Sequence, residues 1–252
     1  MKKIYCYFIF LFSLANTDMI AKRSESVWRE LLKNNAECVT WVSVTAKVEM
    51  SVGGRSIPPQ EQKLEALGTV IDEKGLTVLS LNQVDPTANI LSRLRSPGAS
   101  VNVNYTEVFI LMQDGTEVAA RFLLKDSDLD LAFVLPFQDD DSNSDDVIFS
   151  KVPEMVKEDE YPMILDEVVS IGKLKQTLYR QSTLRRGSVN AVISKPRQYF
   201  VIENTIPGTP VFDKKGKWLG VVVYKMFGSR PSEIVTLPSQ DILEIAEQVR
   251  TR

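Results

Sequence analysis

The chain has 252 residues, a formal charge of −3 and no histidine. Without an imidazole it lacks the base that most serine and cysteine hydrolases use, and it lacks a frequent ligand of zinc and haem. The proportions of apolar residues (44%) and charged residues (25%) are those of an ordinary globular protein. The slightly acidic charge argues against a nucleic-acid-binding surface, and we predict neither a metal ion nor a cofactor.

The first 15 residues are typical of a secretory signal peptide. Lys2 and Lys3 precede an apolar run over residues 4–14 that is too short to span a bilayer comfortably. The small residues around Ala15 favour cleavage there, and a later cleavage after Ala21 is the alternative. We therefore expect an exported protein, periplasmic or secreted. An uncleaved anchor would instead keep it at the cell envelope.

The predicted elements begin with a short helix over residues 22–36, where apolar residues recur at spacings of three and four. Gly53-Gly54 and Pro58-Pro59 predict a loop after the first strand, and Asp114-Gly115 predicts a hairpin turn. Seven segments have a β-branched or alternating pattern: 39–50, 66–72, 76–81, 101–105, 108–112, 118–124 and 129–135. These segments predict a first β-barrel over residues 37–136.

An acidic linker over residues 137–160 separates the two strand-rich halves. Its aspartates alternate with Ser and Asn, but Ser144 and Ser150 stand where a calcium loop needs Gly and Glu, so a solvated connection is favoured. Beyond it we predict a helix from about residue 240 and strands at 168–171, 188–193, 199–203, 210–213, 218–224 and 234–237. The fold class predicted is all-β, with a second barrel and a C-terminal helix over residues 161–252.

Two runs in the first predicted barrel resemble motifs of the trypsin-like serine peptidases, in particular the HtrA or Deg type. Residues 75–84 match a strand end of the form G-x-x-x-T-N-x-H-V-V, in which the histidine is the general base. Counted from the glycine, Asn82 stands at the histidine position. Residues 126–132 match D-x-x-x-D-[LI]-A, which places Asp130 at the position of the acid that orients the base.

A third run, residues 205–212, matches the nucleophile motif G-N-S-G-G-[PA]-L, and it is followed by a turn and a strand as in that family. Pro207 stands at the serine position, and Thr205 replaces the first glycine of the motif. The resemblance covers about residues 37–250 and implies two six-stranded antiparallel barrels. It also implies that the PDZ domain of many such proteases is missing.

The departures from the family pattern predict that peptidase activity is lost. Acyl transfer in this family requires a serine, a base and an oxyanion hole. Asn82 cannot accept a proton at ordinary pH. Pro207 has no hydroxyl group and no backbone N–H, and that N–H is one of the two oxyanion donors in the family. We therefore interpret the chain as a pseudoprotease in which Asp130 is structural and binds donors that include the Asn82 amide.

The function predicted is that of a catalytically inactive trypsin-like homologue that binds a protein or peptide, or acts as a scaffold. In this family the cleft between the barrels accepts an extended peptide by strand addition, and five residues are its candidate lining here: Thr205, Gly208, Thr209, Tyr199 and Val201. Pro207 and Pro210 remove backbone donors from this cleft, so the outer barrel surface is the alternative binding site. An active or unorthodox serine endopeptidase and a structural part of an envelope assembly are the rival functions.

Overall fold

The computed structural model describes residues 25–94, 98–137, 147–228 and 230–250. Twelve strands form two closed antiparallel barrels of six strands each within these ranges, which confirms the predicted fold class. The predicted signal peptide and the aspartates at positions 139–141, 145 and 146 of the linker lie outside the described residues. No helix of the described residues is long and apolar enough to cross a membrane.

The first barrel has the strand order β1-β2-β3-β6-β5-β4, and the second has the order β10-β11-β12-β9-β8-β7. The strands of the first barrel are β1 (Val39–Val52), β2 (Arg55–Val70), β3 (Thr77–Ser80), β4 (Ser100–Leu111), β5 (Glu117–Asp126) and β6 (Leu131–Pro136). Those of the second are β7 (Glu167–Lys173), β8 (Ser182–Ile193), β9 (Tyr199–Ile202), β10 (Pro210–Phe212), β11 (Trp218–Phe227) and β12 (Arg230–Pro238). The α-helices are α1 (25–35), α2 (Thr87–Leu94) and α3 (Ser239–Arg250).

The core is continuous between the two barrels. Each barrel buries its own apolar cluster, because alternate side chains of every strand point to the barrel interior. A third and larger cluster contains residues of both barrels, among them Leu67, Phe133 and Val221. The two barrels therefore share one apolar interface, and the residues at its edge are held in fixed relative positions.

One predicted feature of the first barrel is wrong, and another is sharpened. Pro58 and Pro59, which were expected in a loop, lie within β2, next to a register shift between Val48 and Met50 of β1. Proline is tolerated there because this exposed stretch of β2 is paired on one side only, and a bulge needs fewer backbone donors. The segments at 101–105 and 108–112 form the single strand β4, which bends at a register shift instead of breaking.

The second half of the linker is anchored to the barrels by a few buried side chains, although most of its residues are exposed to solvent. Phe149, Val152 and Val156 are buried in this segment. The Val152 N–H donates to the carbonyl of Val70 at the end of β2, and the Val156 N–H donates to the carbonyl of Trp218 at the start of β11. The apolar residues that interrupt the polar sequence therefore fasten the connection to both barrels.

Glu160 clamps the end of this connection to the turn before β11. Its carboxylate accepts hydrogen bonds from Lys215 Nζ at 2.9 Å and from Lys217 Nζ at 2.8 Å. These bonds lower the pKa of Glu160 to about 2. The folded state therefore favours the ionised carboxylate, and the stability this adds is present above the unfolded pKa of about 4.3 and is lost as the pH falls towards 2.

We expect the Glu160→Gln variant to have a lower free energy of unfolding than the unaltered chain near neutral pH. The difference should shrink as the pH falls below about 4.3. In the unaltered chain the unfolded state then binds a proton at Glu160 that the folded state excludes, and this proton uptake favours unfolding. Urea denaturation across this pH range measures the effect, and Asp159→Asn, at an exposed neighbour, is the control. A difference that does not change with pH would contradict this assignment.

Candidate functional site

Asp130 lies at the point where β3 ends and β6 begins. The two strands are antiparallel, and Ser80 pairs with Leu131, so the residue before β6 faces the residues after β3. The turn before β6 is closed by Asp126, whose carboxylate accepts two backbone N–H groups at 2.9 and 3.0 Å. Asp130 itself has a φ of 57°, which turns its fully buried carboxylate towards the second barrel.

Four hydrogen bonds end on the Asp130 carboxylate. Ser80 Oγ donates at 2.5 Å, the Asn82 backbone N–H at 2.7 Å, Asn82 Nδ2 at 2.8 Å and the backbone N–H of Tyr224 at 2.8 Å. Burial raises the pKa of Asp130, and the hydrogen bonds from Ser80, Tyr224 and Asn82 act in the opposite direction. Since a carboxylate has about four acceptor positions, the group is saturated with donors and joins β3, β6 and β11.

Asn82 contributes only donors to this site. It lies in the single 3₁₀ turn Leu81–Gln83 that follows β3. Its side-chain nitrogen is 2.8 Å from Asp130 Oδ1 and 3.3 Å from Met226 Sδ. The amide is therefore one of the donors predicted for the buried carboxylate. It has no basic nitrogen with which to accept a proton, and the Met226 side chain lies against it on the other side.

Pro207 and Gly208 form the corner of a tight turn. The Thr209 N–H donates to the Ile206 carbonyl at 3.2 Å, and Gly208 has a φ of 87°. Proline followed by a residue with positive φ is the signature of a type II turn. All three residues from Pro207 to Thr209 are buried, so the segment at the serine position of the resembling family is folded into the protein.

The turn is hydrogen-bonded to both barrels. The Gly208 N–H donates to the Val222 carbonyl of β11 at 2.7 Å, and the Gly208 carbonyl accepts from Thr69 Oγ1 of β2 at 2.9 Å. The hydroxyl groups of Thr209 and Ser170 are 2.7 Å apart. The backbone donors of Gly208 and Thr209 are therefore both used internally, and Pro207 has none.

The structure brings Asn82 and Asp130 into direct contact and places the Pro207 turn next to them on β11. Residues two apart on a strand direct their backbone groups to the same edge. On β11, Val222 accepts from the turn and Tyr224 donates to Asp130. The three positions suggested by the sequence motifs therefore meet along one edge of β11, although Pro207 itself makes no hydrogen bond to the other two.

The expected lining of the peptide cleft needs correction. Gly208, Thr209 and Tyr199 are buried and do not line an accessible surface, whereas Thr205 and Val201 are partly exposed. The Pro-Gly turn directs Gly208 and Thr209 inward, and Tyr199 of β9 is part of the apolar cluster shared by the barrels. Sequence reasoning also missed two groups of the site. Ser80 was detectable as a hydroxyl within an apolar strand, but the Tyr224 donor is a backbone group and leaves no signal in the sequence.

Comparison with known proteins identifies the fold, through solved structures alone. No family model matches the sequence, and no curated protein matches it. Among 326 matching chains of solved structures is a variant of the HtrA-type protease AlgW with a tripeptide, with a TM-score of 0.56 and 12% sequence identity. The likeness covers 88% of this chain and 63% of that chain, so this chain spans less than two thirds of the protease. At this identity the likeness shows the fold alone, and the two six-stranded barrels are those of the trypsin-like fold.

Proposed function

We propose that this protein is an exported, catalytically inactive member of the trypsin-like fold that binds a polypeptide partner. The observation that carries the proposal is the saturation of Asp130 by donors, with the Asn82 amide as one of them. The resemblance assigns this carboxylate the task of orienting a base. Among the described residues, the side chains that bond it are those of Ser80 and Asn82, neither of which is a base, and the whole chain contains no histidine.

The two other requirements of acyl transfer are missing at the same place. A nucleophile needs a hydroxyl or thiol group, and an oxyanion hole needs backbone donors that face the substrate. Pro207 supplies neither, and the next two N–H groups already have acceptors inside the protein, the Val222 carbonyl of β11 for Gly208 and the Ile206 carbonyl for Thr209. Removal of one triad member already lowers the rate by about 10⁴-fold to 10⁶-fold in serine proteases, so loss of all three components supports an inactive protein.

The binding role is supported by what the chain keeps. Both barrels are closed and share one buried interface, although the chemistry of the motifs is absent. A stable β-fold of this kind offers strands and grooves to an extended polypeptide without any catalytic group. Lys2 and Lys3 followed by the apolar run over residues 4–14 support export to the periplasm or beyond the cell.

Incubation of the purified protein with labelled casein tests the catalytic part of the proposal. We expect no release of fragments above the buffer blank, whereas trypsin at the same concentration degrades the substrate. The Asp130→Asn variant, checked for folding by circular dichroism, is a matched control for triad chemistry. Turnover that this variant abolishes would contradict the proposal, and so would turnover in both preparations that persists at constant specific activity through further purification, which excludes a contaminating protease.

A further inference from the structure

Three consecutive large apolar side chains are exposed on a turn before β7. Met163, Ile164 and Leu165 are 73%, 58% and 78% exposed. Soluble proteins expose single apolar residues often, but a contiguous set marks an interaction site. We call this segment the apolar turn (residues 163–165).

The apolar turn is fixed by hydrogen bonds. The Met163 N–H donates to Asp166 Oδ2 at 2.8 Å, and the Asp166 N–H donates back to the Met163 carbonyl at 3.0 Å. The Leu165 N–H donates to the Val189 carbonyl at 2.8 Å. Leu165 also has a φ of 74°, a conformation that non-glycine residues seldom adopt. The backbone is thus held in a strained shape that presents the apolar side chains to solvent, and such strain is common at ligand-binding sites.

Two adjacent depressions lie between the apolar turn and α3, and we treat them as the two parts of one groove because they share lining residues. Its first part has a volume of about 600 Å³ and is lined by apolar side chains that include Met163, Ile164 and Val192. Its second part has a volume of about 390 Å³ and reaches Asp241 and Glu244 of α3. The two parts share a common wall formed by Glu158, Tyr161 and Gln198. We call the whole the apolar–acidic groove.

The charge of the groove changes along its length. Its α3 end is lined by three carboxylates, those of Glu158, Asp241 and Glu244, and by one cationic side chain, Arg197. The guanidinium of Arg197 pairs with Asp241 at 2.8 Å, which leaves a net charge of −2 on the lining. Burial, together with electrostatic repulsion from these three carboxylates, raises the pKa of the Tyr161 hydroxyl to about 12. This end of the groove therefore favours a cationic ligand.

We propose that the apolar–acidic groove binds an extended segment of a partner protein that carries apolar side chains next to lysine or arginine. The apolar side chains would pack on Met163, Ile164 and Val192, and the cations would pair with Glu158 and Glu244. The inference rests on the proposed function, because it names the surface and the partner chemistry for polypeptide binding. A membrane surface is the less suitable occupant, since anionic lipid headgroups would be repelled by the carboxylates.

Phage display tests the proposal: a library of random short peptides is selected against the full chain. The selected peptide is then synthesised, and its affinity is measured by calorimetry. We expect enrichment of lysine or arginine beside leucine, isoleucine or phenylalanine, and affinity that falls with added salt. Ile164→Ser and Glu244→Lys should each weaken binding by about tenfold or more. Phe227→Ser, at an apolar residue 84% exposed on the β11–β12 hairpin, and Glu117→Lys, at an exposed residue of β5, are the matched controls and should leave affinity unchanged.

Failure of the groove and failure of the proposed function give different results. Selection of no peptide, selection of peptides without cations, or binding that survives Ile164→Ser and Glu244→Lys would overturn the groove and leave the loss of catalysis standing. If the protein bound phosphatidylglycerol vesicles more strongly than any peptide, and Ile164→Ser abolished that binding, the occupant of the groove would be a membrane surface and the peptide proposal would be wrong. Cleavage of the bound peptide would overturn the proposed loss of catalysis, whereas the assignment of the groove as the peptide-binding site would stand.

Discussion

The Gly208→Ala variant is expected to lose roughly 4 kcal/mol or more of its free energy of unfolding, a loss that few single substitutions produce. A Cβ atom built on Gly208 would lie 1.9 Å from the carbonyl oxygen of Leu67 and 2.9 Å from its carbon. Both are backbone atoms of β2 and cannot move without disturbing the first barrel. The φ of 87° adds a second cost, because alanine disfavours the left-handed region.

A glycine with a similar positive φ and open space around it separates these two costs. Gly54 has a φ of 77°, and no atom lies within 4 Å of its Cβ position. Gly54→Ala should therefore cost only about 1 to 2 kcal/mol, which is the conformational part. Urea denaturation of the two variants measures the difference. Equal losses in both would show that Gly208 is not packed against β2 and that the Pro207 turn is not folded inward.

Asp130→Ala is expected to cost about 3–5 kcal/mol, because each buried donor left without an acceptor costs about 1–3 kcal/mol and removal of the buried charge offsets part of the sum. The substitution leaves four donors from Ser80, Asn82 and Tyr224 without their acceptor at the junction of the two barrels. Asp130→Asn should cost less, because it keeps the shape, tolerates the φ of 57° and removes the buried charge. Its amide nitrogen, however, would face other donors.

The control for this series is Asp128→Ala, two residues earlier in the same turn and exposed, which should change stability by less than about 0.5 kcal/mol. Thermal or urea unfolding of the three variants provides the comparison. A loss for Asp130→Ala as small as that for Asp128→Ala would mean that the carboxylate does not join the barrels, and the structural role assigned to it would be wrong.

The barrels were predictable because their strands carry signals in the local sequence. Alternating or β-branched runs end at turns such as Asp114-Gly115, and the turn residues divide the chain into strands of barrel length. The pairing of Asn82 with Asp130 was predictable as well. The resemblance to the trypsin-like motifs implies that the two positions lie side by side, and a buried carboxylate requires donors.

Other features depend on tertiary contacts that have no local signal. Helix α2 (Thr87–Leu94) has only eight residues and no buried residue, and so short a run does not reveal a helical period in the sequence. Pro58 and Pro59 indicated a loop. The bulge that accommodates them within β2 is set by pairing with β1, which the local sequence does not reveal. The inward fold of the Pro207 turn depends on acceptors from β11 and donors from β2. The Pro-Gly pair itself was a type II turn signal that sequence reasoning left unused.

Reaction of the purified protein with a fluorophosphonate probe, followed by intact mass measurement, tests the central claim most directly. The reagent adds covalently to a serine only when a base activates its hydroxyl group. No base stands beside Asp130, and the residue at the serine position is Pro207, so the mass is predicted to stay unchanged while trypsin treated in parallel is fully labelled. Stoichiometric addition to any serine of the folded chain would contradict the account, provided that a chain denatured before treatment does not react.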